Sequence, residues 1–369
     1  MLPITISGMP DEAEIAASDL RFSFGTLFDS ELMDVKKLPP VSPPSNAFLS
    51  FDLHERKFIL GHQGLSGARI TESGITFEAA GNPKMLRTLQ TINRDFLFLN
   101  KRACFAFNTG DAQTHNYQDF FGCNKKVPVI QYHRFDGTDA IIMPLPRYHE
   151  YPSSNIPEIN YRDFLKQKIP KIFWRGDLSG FALTPMGRRN PAQILGSGRL
   201  SRDKKMEILQ LYFRYRVVTH LHSEIFADVG FVFSKYLQEN IGDQEFLKAY
   251  EAERTSPQEQ AGYRYLLALD GYDGPSSWYW MMSSGSVVLR EKSKWKMFGD
   301  NYFIPWIHFI PVDNTVEDIL RKIDWCERNL DECQIMVRNA RAAWEVLFDR
   351  QRQKARRQRI YDHLAARLL

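Results

Sequence analysis

The stretch from Tyr263 to Leu289 constrains this chain more than any other. Two short runs, Tyr265–Leu269 and Ser286–Leu289, contain no charged residue. Apolar runs of that length, without polar alternation, read as strands covered on both faces of a parallel sheet. Between them stand Asp270-Gly271, Asp273-Gly274-Pro275 and Ser276-Ser277, followed by a helical stretch from Trp278. Strand, glycine-bearing turn, helix and second strand together describe a βαβ unit.

The rest of the chain extends that pattern. Leu38-Pro39-Pro40-Val41-Ser42-Pro43-Pro44 cannot be helical and reads as an extended lead-in. Short strands are expected at Ala47–Leu53, Lys57–Leu60 and Gly74–Glu78, then a helix from Asn82-Pro83 through Phe96. Further strands are expected at Ala103–Phe107, Val127–Gln131, Ala140–Met143 and Lys171–Trp174. Ser201 is placed to cap a helix, Asp313 to start another, and a long helix is expected from about Leu330 into the basic tail. At 369 residues the chain has the length of two domains. The expectation is α/β: two Rossmann-like doubly wound domains facing a cleft, with bounds 1–155 and 156–345, and a basic C-terminal helix over 346–369. The boundary is set by Pro152, Ser153, Ser154 and Pro157.

Bulk properties exclude some classes. A net charge of +4 gives no global basic field for nucleic acid. Cys104, Cys123, Cys326 and Cys333 form no CxxC pair and read as reduced thiols. The N-terminus has neither the basic nor the apolar region of a signal peptide, and no window is long and apolar enough to cross a bilayer. A cytoplasmic protein is expected. The basic stretch Arg350–Arg359, followed by Ile360, Leu364 and Leu368 at helical spacing, suggests either peripheral contact with the inner membrane surface or docking on the protein.

Three segments suit chemistry. The glycines of Gly271 to Gly274 let the backbone approach a ligand. The following helix start, with Ser276 and Ser277, offers N–H and hydroxyl donors to phosphate. An ordinary βαβ turn capped by serines is the alternative, because the spacing matches neither the dinucleotide fingerprint nor a P-loop. Phe173-Trp174-Arg175-Gly176-Asp177 ends a strand on an arginine, with Arg188 and Arg189 downstream. Arginine suits pyrophosphate through its bidentate fork, although Arg175 is equally placed to pair with Asp177. Asp111, after Asn108-Thr109-Gly110, lies just past a strand end and suits a general base or a simple turn. Asp270 and Asp273 resemble a metal-binding pair but are also ordinary turn residues, so no metal is expected. The scattered histidines, His220 and His222 included, read as structural.

Taken together, these segments resemble glycosyltransferase family 90, whose members include protein O-glucosyltransferases, capsule-associated xylosyltransferases and bacterial lipopolysaccharide-modifying enzymes. The likeness spans about residues 95–345. It is carried by Phe173-Trp174-Arg175-Gly176, by Tyr263 to Gly271, by Ser284-Gly285-Ser286-Val287-Val288-Leu289, by Lys294-Trp295, and by Pro305-Trp306-Ile307-His308-Phe309-Ile310-Pro311-Val312. Gly271-Tyr272-Asp273 and Tyr279-Trp280 are closer to the bacterial branch.

The resemblance implies a GT-B fold and a metal-independent, inverting transfer from a UDP-sugar to a lipopolysaccharide or other surface glycan, with no further cofactor. It makes Asp111 the base. It makes Trp174, Arg175, Gly176, Arg188 and Arg189 donor-binding, together with Asp270, Gly271, Asp273, Gly274, Ser276 and Ser277. Animal relatives carry an arginine where Ser277 stands, so more of the diphosphate falls to Arg175 and Arg189. A protein or capsule acceptor is the alternative within the same fold. From other classes, the alternatives are a non-catalytic nucleotide-sugar binder and a nucleic-acid binder.

Overall fold

The computed structural model describes residues 1–38, 48–52, 57–58, 68–71, 74–77, 104–108, 110, 114–143, 163–241 and 245–368. The expected helix over Asn82–Phe96, the domain boundary and Asp111 lie outside these residues.

The chain opens with helix α1 (Glu12–Phe24), capped by Asp11 and Glu14 in a reciprocal box. Strands β1 (Phe48–Asp52), β2 (Lys57–Phe58), β3 (Ala68–Thr71), β4 (Gly74–Phe77) and β5 (Cys104–Asn108) follow. The one-turn helix α2 (Tyr117–Phe120) leads to β6 (Val129–Gln131), β7 (His133–Phe135) and β8 (Ile141–Ile142). The first sheet has the order β2-β1-β5-β6-β8. Its β5, β6 and β8 are mutually parallel, while β1 and β2 form an antiparallel edge.

The second half begins with β9 (Ile169–Gly176) and a hairpin of β10 (Ala182–Thr184) and β11 (Gly187–Arg189). Helices α3 (Pro191–Leu195), α4 (Arg202–Leu209) and α5 (Phe213–Leu221) lead to β12 (Ala227–Phe231). Short helices α6 (Lys235–Ile241), α7 (Glu245–Lys248) and α8 (Pro257–Gln260) cross to β13 (Tyr263–Ala268). Then come α9 (Ser277–Met281), β14 (Val287–Glu291), β15 (Trp295–Met297), β16 (Ile310–Val312), α10 (Val316–Arg328), α11 (Leu330–Phe348) and α12 (Arg350–Arg367).

The second sheet runs β12-β9-β13-β14-β16, every pair parallel. In chain order this is 2-1-3-4-5, a doubly wound sheet whose strand order reverses between β9 and β13. Alternation of side chains explains why its strands carry no polar stripe. Ile172, Trp174, Tyr265, Leu267, Val287 and Leu289 enter the apolar cluster on one face. Phe173, Leu266, Ala268 and Val288 enter the cluster on the other, with Trp278, Tyr279 and Trp344. The expected α/β, GT-B-like class is met, with the antiparallel edge of the first sheet as a difference of detail.

Local expectations hold with small corrections. Ser201 caps α4 as expected. Asp313 does not start α10: Thr315 is the cap, accepting from the Asp318 amide, while the Asp313 amide donates to Asp318 Oδ2 at 2.8 Å. The single helix expected from Leu330 is two, broken at Asp349, whose carboxylate accepts from the Arg352 amide and caps α12. A side chain that competes for backbone donors ends one helix and begins the next.

The basic tail docks. Ile360 and Leu364 are buried, and so is Arg356 at 1% exposure. The N-terminal segment shares this side of the molecule, since Leu2, Ile4 and Ile15 join the apolar cluster beneath the second sheet. Among the described residues, no helix is long and apolar enough to cross a membrane.

Candidate functional site

In an open parallel sheet the ligand crevice forms at the carboxyl ends of the two strands where the order reverses. Here those are β9 and β13, continued by Asp177–Gly180 and Leu269–Gly274. Arg214, on α5, joins the two loops. Its Nη1 donates to the Asp177 carbonyl and Ser179 Oγ, and its Nη2 to the Leu269 carbonyl, each at 2.8 Å. A Cβ at Gly271 would stand 2.8 Å from Ser179 Oγ and 2.9 Å from Arg214 Nη2. Gly180, at φ +114°, would put a Cβ 3.0 Å from the Gly271 carbonyl oxygen. The backbone conformation at Gly180 therefore calls for glycine, and a side chain at Gly271 would displace the hydroxyl and guanidinium that join the loops.

A carboxyl pair lies beneath Gly271. Glu291 Oε2 accepts from the Asp270 amide at 2.9 Å, and Ser293 Oγ donates to Asp270 Oδ2. Burial drives both carboxyl groups above the usual range, and their mutual repulsion raises Glu291 further. The same burial lowers the Arg214 pKa, opposed by the charges of Glu291, Asp270, Asp177 and Asp273. A cavity of about 270 Å³ opens beside this cluster, with Glu291, Ser293, Trp295 and Asp300 in its wall.

The first sheet reaches this crevice directly. Tyr132, which follows β6, donates from its hydroxyl to Asp273 Oδ2 at 2.6 Å. His133 Nδ1 lies 3.5 Å from the same oxygen, and its ring meets Trp295 edge-on. Strand β7 pairs antiparallel with β15, setting Met297 opposite His133. Gly274 lies so close to Met297 that a Cβ would come within 2.5 Å of its Sδ. The carboxyl ends of both parallel runs therefore converge on Asp270–Gly274.

The expected site residues divide into groups. Asp270, Gly271, Asp273 and Gly274 are brought together at the crevice. Arg188 and Arg189 stand on β11 of the hairpin. The Arg188 guanidinium stacks 4.1 Å from the Phe181 ring, which meets Tyr272 at 5.2 Å. Tyr212 holds the Arg189 carbonyl at 2.7 Å. Ser276 is exposed and Ser277 half-buried at the start of α9. That helix is only five residues long, and Ser276 makes no side-chain cap.

Three expected residues make framework contacts in this structure. The Arg175 guanidinium turns back along the sheet. It pairs with the Asp228 carboxylate, donates to the Asp228 carbonyl at 2.9 Å, and stacks on Phe173. Tyr263 donates to the other Asp228 oxygen. Arg175 pairs with Asp228 rather than Asp177, whose Oδ1 accepts from the Ser234 amide. Trp174 points into the core at 3% exposure. Gly176 makes room for it, since a Cβ there would meet the indole at 2.7 Å. The periodicity of β9 explains all three: a strand end buried on both faces turns its last side chains into the layers, not the crevice.

Sequence reasoning missed Arg214, Glu291, Ser179 and Tyr132. Glu291 had a readable signal, being, with Arg290, one of two charged residues that close an apolar buried strand. The others carry none, because Arg214 shares its helix with Arg216 and only packing separates them.

A family model described as "Glycosyl transferase family 90" matches residues 105–347. The O-glucosyltransferase LpsA of Dichelobacter nodosus is 26% identical over 140 residues, covering 37% of this chain and 40% of the relative. Protein O-glucosyltransferase 3 of Homo sapiens is 22% identical over 137 residues, covering 37% and 24%. The chain thus spans well under half the length of these curated relatives. The Anabaena HepE structure with UDP and glucose is 12% identical, covers 66% of this chain and 64% of that one, and has a TM-score of 0.34. That likeness is too slight to bear weight.

Proposed function

This chain belongs to glycosyl transferase family 90 and is a glycosyltransferase; we propose that it moves a sugar from a UDP-sugar to a hydroxyl of a lipopolysaccharide or other surface glycan, inverting the anomeric carbon. The observation that carries the donor reading is the meeting of two glycine-lined loops at the reversal point of the second sheet, beside Phe181, which carries the Arg188 guanidinium and meets Tyr272 of the loop.

Asp111 is the base in this reading. It takes the proton of the acceptor hydroxyl as that oxygen attacks the anomeric carbon in line. The bond from that carbon to the diphosphate oxygen breaks, and UDP departs carrying the new negative charge. In this reading Arg188 and Arg189 neutralise it, with Gly271–Ser277 lining the other side. Arg175, held by Asp228, is not assigned to the diphosphate. Trp174 and Gly176 support the wall behind it. Asp270 and Asp273 shape the donor loop. The reaction is read as metal-independent, with arginines in the place of a cation.

A thermal-shift series tests this reading. UDP and UDP-sugars raise the melting temperature saturably, by mass action, and EDTA leaves the shift intact. No shift with any of them sinks the donor assignment, and loss of the shift in EDTA sinks the metal-free mechanism. Asp111→Asn retains the UDP shift and loses transfer. Full activity in that variant removes Asp111 from the role.

A further inference from the structure

We infer that Tyr132 is a positioning residue: hydrogen bonds through Tyr117 to Gln131, continued along the backbone to Tyr132 and its bond to Asp273, couple the donor loop Asp270–Gly274 to the end of β5. The inference rests on the UDP-sugar reading above.

The run begins at Gly110, the residue before Asp111 in the chain. Its amide donates to Asn108 Oδ1 at 2.8 Å. Asn108 Nδ2 donates to the Tyr117 hydroxyl at 2.7 Å, and that hydroxyl donates to Gln131 Oε1 at 2.6 Å. Gln131 Nε2 donates to the His133 carbonyl at 3.3 Å. Between Gln131 and His133 stands Tyr132, whose hydroxyl crosses to Asp273 Oδ2 at 2.6 Å. Within the donor loop the Gly271 amide donates to the Asp273 carbonyl at 2.9 Å. Asn108, Tyr117, Gln131, Tyr132 and His133 are all buried.

Two features make this run more than packing. The Tyr117 hydroxyl is acceptor and donor at once, so its two bonds polarise each other and fix its orientation. Buried polar groups are also costly to leave unpaired, so a shift in one link favours a matching shift in its neighbours. A donor that orders Asp270–Gly274 therefore also orders the end of β5, to which Asp111 is covalently tied. Positioning of acceptor-side groups becomes conditional on an occupied donor loop. Without Tyr132 the two sheets still touch through β7 and β15, but Asp273 loses its hydroxyl partner from the first sheet.

Hydrogen exchange with and without UDP tests the coupling. In the wild type, UDP slows exchange at least about threefold over both Leu269–Gly274 and β5. Tyr132→Phe keeps the ring and keeps the slowing over Leu269–Gly274, but loses it over β5. Tyr117→Phe, which leaves the Tyr132 hydroxyl on Asp273, loses it over β5 in the same way. A purely structural role would raise exchange without UDP and leave the UDP-dependent difference unchanged. Two results overturn the coupling alone: UDP-dependent slowing over β5 that survives both variants, or slowing in the wild type confined to the donor loop. If UDP slows exchange in neither region, the donor reading itself fails and the coupling falls with it.

Discussion

Arg356 donates through Nε to Asp19 Oδ2 at 2.8 Å, with both side chains only 2% exposed. The pair ties α12 to α1. Tyr302 donates to the same Asp19 oxygen at 2.8 Å, and Asn301 Nδ2 donates to the other at 3.0 Å. A buried charge left without its partner costs about 3–5 kcal/mol. Asp19→Ala is therefore expected to lower unfolding free energy by about that amount in a denaturant titration, well beyond Arg352→Ala, whose pair with Glu12 is more exposed. Equal effects would show that the basic helix is held by its apolar residues alone.

Gly271 leaves no room for a side chain. A methyl group at 2.8 Å from Ser179 Oγ and 2.9 Å from Arg214 Nη2 must displace the hydroxyl and guanidinium that join the loops. Gly271→Ala is expected to destabilise by about 1–3 kcal/mol, the usual cost of overpacking. It should also weaken UDP binding measured by calorimetry. Wild-type affinity in that variant would place the donor elsewhere.

Glu291 makes stability depend on pH. Its folded-state pKa is raised, so the native protein holds a proton that the unfolded chain has released. The sign follows from proton linkage: stability falls as pH rises above the ordinary value of 4.5 toward the raised one. Glu291→Gln keeps the side-chain oxygen that the Asp270 amide needs and removes the proton. Melting curves from acid to mildly alkaline pH should show a flatter profile for the variant. An unchanged slope would mean that Arg214 keeps Glu291 ionised throughout.

The arginines separate by partner. Arg175 is committed to Asp228, so Arg175→Lys should lower the melting temperature and leave UDP affinity within about twofold. Arg188→Ala and Arg189→Ala should leave the fold intact and each weaken UDP binding about three- to tenfold, less at high salt. The reverse ranking in calorimetry would return the diphosphate to Arg175.

Much of the fold is legible along the chain, for local reasons. The unbroken apolarity of Tyr265–Leu269 and Ser286–Leu289 appears as alternation into two core layers. The Ser201 cap is a short-range signal of the same kind, readable without tertiary contacts. The tail is a partial case. Ile360 and Leu364 at helical spacing announce an amphipathic helix, yet nothing local says what their stripe covers.

By itself the sequence determined the main strands and helices, the glycine-bearing loop after Leu269 and the family, because periodicity, turn chemistry and short motifs are properties of neighbouring residues. Only the tertiary structure decided which polar groups meet. It turned Arg175 toward Asp228, set Arg214 between two loops, and brought Tyr132 to Asp273 across 141 residues of chain. The side chain of a strand-end or helix arginine reaches wherever packing leaves a buried acceptor unpaired, and that location is a property of the assembled core.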